Sequence, residues 1–183
     1  MVMPRSKFEH YRLKKIATLV RKYPRVLDLG CSVHQNVYLE NDYVVGLDLD
    51  YVKPKKNYEN IIVGDVQKLP APFKKESFDA ITAGEIIEHL ESPIPFLRGC
   101  YSTLKPGGIL VLSTLNPNSI QERILTLFLS RRYYYDPEHV CLYPQRWLIR
   151  MLEICGFKNI KVLSGGLTIP VVIKNIPFPR PWA

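Results

Sequence analysis

The sequence predicts an α/β protein: a doubly wound, mostly parallel sheet between two helical layers, a three-layer αβα arrangement. Three observations predict it. Short apolar runs alternate with helix-like stretches along the chain. The runs end in small or acidic residues, at Asp28, Asp48, Asp65 and Ala83-Gly84. Right-handed crossovers between parallel strands would gather those ends at one edge. The clearest run is Arg25-Val26-Leu27-Asp28-Leu29-Gly30-Cys31-Ser32, which delivers an acid and then a glycine to a turn. Gly30 has no Cβ, so the backbone can turn tightly and lie close to a ligand. The crevice outside the carboxyl ends of such strands is where open α/β sheets bind nucleotides.

The remaining elements follow in order. Residues 8–23 set Phe8, Tyr11, Ile16, Leu19 and Val20 among bases at roughly helical spacing, and Pro24 ends the run. Residues 1–24 therefore contribute a helix packed ahead of the first strand. From it Tyr11 or Arg12 can reach a ligand carboxylate, against the plainer reading of a surface or packing role. Strands are expected at 25–29, 43–48, 60–63, 78–83 and 109–114, with a short helix at 33–40 and a loop at 68–77 holding Pro70 and Pro72. A helix at 93–104 leads to a turn at Lys105-Pro106-Gly107-Gly108. Residues 116–143 lose the alternation and are expected to cover an acceptor pocket. Within them 120–129 suits a short helix, and Phe128 with Tyr133, Tyr134 and Tyr135 suits an aromatic wall. Pro144 fits a first helical position, 146–155 continues the helix, and Gly156 caps it. Two last strands are expected at 158–163 and 167–174, and the proline-rich tail at 176–182 fits neither a helix nor a central strand. No internal repeat is visible, and residues 1–183 read as a single domain.

Composition narrows the function classes. Hydrophobic residues make up 46% and charged residues 23%, ordinary values for a globular protein. No apolar run reaches the ~18 residues of a membrane span, and the first residues lack the apolar stretch of a secretory signal. The expectation is a cytoplasmic protein with no membrane partner. Cys31, Cys100, Cys141 and Cys155 form no Cys-x-x-Cys pair, which argues for reduced thiols over a zinc knuckle or redox dithiol. The formal net charge of +8 favours anionic partners, although bases such as Lys14 and Lys15 also suit an ordinary exposed helix face.

Together the ordered motifs resemble the class I methyltransferases that use S-adenosylmethionine, over roughly residues 26–162. They are Leu27-Asp28-Leu29-Gly30-Cys31-Ser32, Val45-Gly46-Leu47-Asp48, Gly64-Asp65-Val66, Phe78-Asp79-Ala80-Ile81, Glu85-Ile86-Ile87-Glu88-His89-Leu90 and Leu104-Lys105-Pro106-Gly107-Gly108. The resemblance implies a Rossmann-like methyltransferase sheet and S-adenosylmethionine as cofactor. Its implied binding residues are Asp28, Gly30, Cys31, Asp48, Leu49, Asp65, Val66 and Gly84. Asp48 lies 20 residues beyond Asp28, the interval at which an acid commonly meets a ribose. Asp65 can accept from the adenine amine between Leu49 and Val66, and Asp28 with Gly30 would hold the amino-acid end. The competing reading is that these acids cap turns or helix N-termini. One departure stands out: Ser32 and His34 occupy positions where the family often has glycine, and His34 can crowd the methionine moiety or bond its carboxylate.

Glu85, Glu88 and His89 follow strand four, and helical spacing would put them on one face. With the later His139 they offer two carboxylates and two imidazoles, a set that can hold a divalent cation. This set looks like that of quinone-pathway O-methyltransferases, and also like that of enzymes methylating the terminal ribose of small RNAs. An imidazole acting as general base without metal, with Glu88, His89 and His139 as catalytic residues, is the alternative, and a structural role is the third. The expected activity is methyl transfer to an oxygen of a small-molecule acceptor. The rivals are RNA or protein methylation, favoured by the charge and by Arg131-Arg132 but lacking an appended RNA-binding module, and a non-catalytic cofactor-binding partner subunit.

Overall fold

The structure is a computed structural model. It describes residues 7–31, 34–119, 138–163 and 168–174. Ser32, the expected aromatic wall, Arg131-Arg132 and the proline-rich tail lie outside the described residues.

The described elements are α1 (Lys7–Val20), β1 (Arg25–Leu29), β2 (Tyr43–Asp48), β3 (Asn60–Val63), β4 (Phe78–Gly84), α2 (Pro93–Thr103), β5 (Leu104–Leu115), α3 (Gln145–Ile154), β6 (Lys158–Val162) and β7 (Thr168–Lys174). The strands form one sheet in the order β3-β2-β1-β4-β5-β7-β6. The first five pair in parallel, and β7 runs antiparallel to β5 and β6. Chain order reverses between β1 and β4, so the crevice at their carboxyl ends is the topological switch point.

Alternation along the central strands builds both faces. Val26, Val44, Ala80 and Val111 join Ile16, Ala17 and Val20 of α1 in one apolar cluster. Leu27, Leu47, Ile81 and Leu110 join Phe96 and Leu97 of α2 and Leu148 and Leu152 of α3 in the other. Helices therefore cover both faces, as the apolar runs of doubly buried strands require.

Three expected elements differ. The helix expected at 33–40 is absent among the described residues, and turns occupy 34–41 instead. Gln35 and Asn36 are buried there, and their side chains bond backbone far away: Gln35 Nε2 donates to the Lys53 carbonyl at 3.0 Å, and Asn36 Nδ2 to the Leu13 carbonyl at 3.0 Å. Those bonds give the segment an alternative to helical hydrogen bonding. The turn expected at Lys105–Gly108 is instead part of β5, because Leu104 already pairs with Phe78. The run after β4 is one 3₁₀ turn, Ile87–His89, and not a longer helix. Glu85 before it sits at φ 55°, the left-handed region, so a right-handed helix cannot start there.

Candidate active site

The carboxyl ends of the parallel strands frame one cavity of ≈ 650 Å³, within the range of pockets that enclose a drug-sized ligand. Asp28, Asp48, Asp65 and Gly84 all line it, so the expected gathering of strand ends holds. Gly30, Cys31, Leu49 and Val66 line it as well.

Each residue is held for a local reason. Gly30 adopts φ 63° and donates its N–H to the Leu47 carbonyl at 2.9 Å, which keeps the start of the turn tied to β2. Cys31 is buried, and its Sγ occupies the space that a Cβ on Gly46 would need. Asp48 Oδ1 accepts from the Leu49 N–H at 2.7 Å. Leu49 itself is 69% exposed, an apolar side chain left in solvent on the cavity rim. Asp65 caps the 3₁₀ turn Val66–Lys68, accepting from the Gln67 N–H at 2.9 Å. It is thus both a cap and a cavity residue, and the two sequence readings of Asp65 do not exclude each other.

Asp28 is fully engaged from behind. Its two oxygens accept from the hydroxyls of Tyr58 and Thr82. Burial pushes its carboxyl pKa up, and the Thr82 and Tyr58 hydrogen bonds and the Arg12 charge pull it back down.

Helix α1 supplies a wall through Glu9, Arg12 and Leu13. Of the two candidates on α1, Arg12 reaches the cavity, whereas Tyr11 is exposed and does not line it. Arg12 Nη1 donates to Ser113 Oγ at 3.2 Å, and Ser113 Oγ donates to Glu85 Oε1 at 3.1 Å. His34, read as crowding the methionine moiety or bonding its carboxylate, lines the cavity and meets Glu9 through Nδ1–Oε1 at 2.9 Å.

Beside the cavity lies a second group. Glu88, His89 and His139 bring one ligand atom each within 4.8 Å of one another. The His89 and His139 rings stand 4.8 Å apart, centroid to centroid. The 50-residue gap is closed by backbone: the Glu88 carbonyl accepts from the N–H groups of Val140 at 2.7 Å and Cys141 at 3.2 Å. His89 Nδ1 donates to the Glu138 carbonyl at 2.9 Å. Glu85 is not among the three converging ligand residues, contrary to expectation: its Oε1 accepts from Ser113, although its charge and a side-chain hydrogen bond still reach Glu88.

Glu88 is fully buried, and Oε2 accepts from Thr114 Oγ1 at 3.0 Å. Oε1 is buried with no hydrogen-bond partner among the described residues. Burial, and then the Glu85 charge, push the Glu88 carboxyl up to about 8. A buried carboxyl oxygen beside two imidazoles fits a divalent cation, and the hydrogen bond from His89 Nδ1 to a backbone carbonyl fixes its ring with the other nitrogen free to bind. The strand-end acids and the exposed Leu49 likewise fit a nucleoside with an amino-acid tail.

Switch-point cavity, strand-end acids and sheet order define the class I methyltransferase fold. The chain belongs to the methyltransferase-domain family, whose sequence profile matches residues 7–162. The family's cofactor is S-adenosylmethionine. Ubiquinone biosynthesis O-methyltransferase of Xanthomonas campestris pv. campestris is 38% identical over 104 residues, covering 50% of this chain and 43% of that protein. The tRNA U34 carboxymethyltransferase of Pseudoalteromonas translucida is 27% identical over 159 residues, covering 78% and 47%. The chain thus spans about half the length of these curated relatives. A solved methyltransferase from Archaeoglobus fulgidus superposes with a TM-score of 0.69 at 20% identity, covering 90% of this chain and 92% of that one, a likeness of fold. No helix among the described residues is long and apolar enough to cross a membrane.

Sequence reasoning undervalued Arg12 and missed Tyr58, Thr82 and the Glu9–His34 pair. A base every few residues along α1 hides Arg12 among surface charges. Tyr58 lies 30 residues from Asp28, and nothing local marks it.

Proposed function

We propose that the protein transfers the methyl group of S-adenosylmethionine to an oxygen of a small-molecule acceptor, in the cytoplasm. The observation that carries this reading is one cavity holding the strand-end acids, with the Glu88, His89 and His139 group at its side. When bound, S-adenosylmethionine supplies a methyl group already activated by a sulfonium. The chain then contributes proximity, alignment and a proton acceptor.

In this reading Asp48 accepts from the ribose hydroxyls. Asp65 accepts from the adenine amine, and Leu49 and Val66 enclose the ring. Arg12 meets the carboxylate of the amino-acid end, and Asp28 with the Gly30 and Cys31 backbone meets its ammonium. Gly84 leaves room for the Arg12 guanidinium. Without a metal, His89 or His139 would take the acceptor's hydroxyl proton; with one bound, the two imidazoles would serve as its ligands instead. Glu88, His89 and His139 would hold a divalent cation, whose charge favours the deprotonated form of an acceptor hydroxyl. Residues 116–143 would cover the acceptor.

Two measurements test this: calorimetric titration with S-adenosylmethionine, and transfer of radiolabelled methyl to a panel of catechols, with and without a chelator. Micromolar or tighter binding with transfer to oxygen supports the reading. Transfer to bulk tRNA and to no catechol would replace the acceptor class. Binding without transfer to either would favour a non-catalytic subunit.

A further inference from the structure

Behind the cavity lies a buried polar network that the reading above does not use. Tyr58 is buried in the loop before β3 and does not line the cavity. Its hydroxyl donates to Asp28 and accepts from the Asn36 N–H at 2.8 Å. Asn36, also buried, reaches α1 through Nδ2 to the Leu13 carbonyl at 3.0 Å. Asn57, next to Tyr58, donates to the carbonyls of Asn36 at 3.0 Å and Leu39 at 3.1 Å. The Tyr58 hydroxyl therefore joins the end of β1 to Asn36 in the turns at 34–41, and the Asn36 side chain carries the link on to the turn of α1 that holds Arg12.

The location matters because these turns stand where a helix was expected. A helix over 33–40 would leave the Asn36 N–H among its unpaired first-turn donors, open to a ligand. Here the Asn36 N–H and the Asp28 carboxylate are buried, and each would lose a hydrogen bond without Tyr58. Burial and the neighbouring Asp28 charge push the Tyr58 hydroxyl well above its ordinary range, so it remains a donor. A carboxylate has about four acceptor sites, so Asp28 can serve Tyr58, Thr82 and a ligand ammonium together.

We propose that Tyr58 is a positioning residue for the amino-acid end of the cofactor: by fixing Asp28, the 34–41 turns and the adjoining turn of α1, it sets affinity for that end alone. This rests on the reading of the cavity as an S-adenosylmethionine site. The adenine and ribose end is assigned to Asp48 and Asp65, whereas the Tyr58 hydroxyl bonds Asp28 and Asn36.

The test compares two unreactive ligands by calorimetry. S-adenosylhomocysteine carries the amino-acid end, and adenosine lacks it. Tyr58→Phe keeps the ring and removes the hydroxyl. It should weaken S-adenosylhomocysteine about tenfold or more, as expected when a hydrogen bond to a charged group is lost, and leave adenosine within about twofold. Parallel weakening of both ligands would reduce Tyr58 to a fold-holding residue and overturn the inference. Unchanged affinity for both would overturn it too. Wild-type protein that binds neither ligand would refute the cavity assignment itself, a distinct outcome. Should Tyr58→Phe fail to fold, Thr82→Val removes the other donor to Asp28. The same selective loss is expected there, and an unselective or absent loss overturns the inference.

Discussion

Gly84 and Arg12 make a test in which folding and ligand binding part company. A Cβ on Gly84 would overlap Arg12 Nη1 and stand 3.5 Å from its Cζ. The next nearest atom is Ser113 Oγ at 3.4 Å, an ordinary contact. Gly84→Ala therefore leaves the sheet undisturbed and forces the guanidinium aside by about 1 Å, the shift that restores normal van der Waals separation. The displaced group is the tip of a flexible side chain, so the melting temperature should move by no more than about 4 °C, equivalent to roughly 1 kcal/mol in a domain of this size. Ligand affinity should respond more strongly. Charged hydrogen bonds contribute ~1.5–3 kcal/mol, so Arg12→Ala should weaken S-adenosylmethionine by about 10- to 150-fold. Gly84→Ala should lose much of the same factor. The double variant should bind no worse than Arg12→Ala alone, because the alanine methyl has nothing left to displace. Calorimetry on the four proteins of this cycle decides the matter. Additive losses, or normal binding by Gly84→Ala beside weak binding by Arg12→Ala, would refute the reasoning.

Three further outcomes are expected. Asp48→Ala should weaken S-adenosylmethionine about tenfold or more through the loss of a charged acceptor for the ribose; unchanged calorimetric affinity would remove the ribose assignment. Glu88 titrates near 8 in the folded chain and close to 4.5 when unfolded, so its stabilising contribution is full at low pH and lost as pH rises through about 8. With chelator present, the melting temperature should fall across that interval in wild type and less in Glu88→Gln; identical profiles would contradict a protonated buried Glu88. His139→Ala should lower activity and bound metal together while cofactor affinity stays near wild type, whereas reduced activity with no chelator sensitivity in either protein would point to an imidazole base without metal.

Strands β1 to β4 were legible because each is a short apolar run closed by an acid or a glycine. The acids around the cavity were legible for the same reason, since a strand end fixes where its last side chain can point. Residues 33–40 misled because the groups that decide the conformation, at Leu13, Lys53, Lys55 and Tyr58, lie 18 to 23 residues away. The Glu85–Leu90 run misled because nothing in its spacing reveals the left-handed φ at Glu85, which confines the run to a single 3₁₀ turn. Glu88, His89 and His139 converge through two backbone hydrogen bonds that carry no side-chain signature.

The turns at 34–41 also change how charge reaches the cavity. In many nucleotide-binding α/β folds the glycine turn opens directly into a helix, whose N-terminal dipole and unpaired N–H groups attract the anionic part of the ligand. Among the described residues no such helix begins after Gly30, so that fixed partial charge is missing at the first strand. The nearest positive counterpart is the guanidinium of Arg12, carried in from an element outside the βαβ unit. A full charge on a movable side chain has replaced a half-charge built into the backbone. In the proposed binding mode, the charge that meets the tail's carboxylate then rests on one codon and one helix position, and a neutral residue at 12 is expected to weaken that end of the ligand alone.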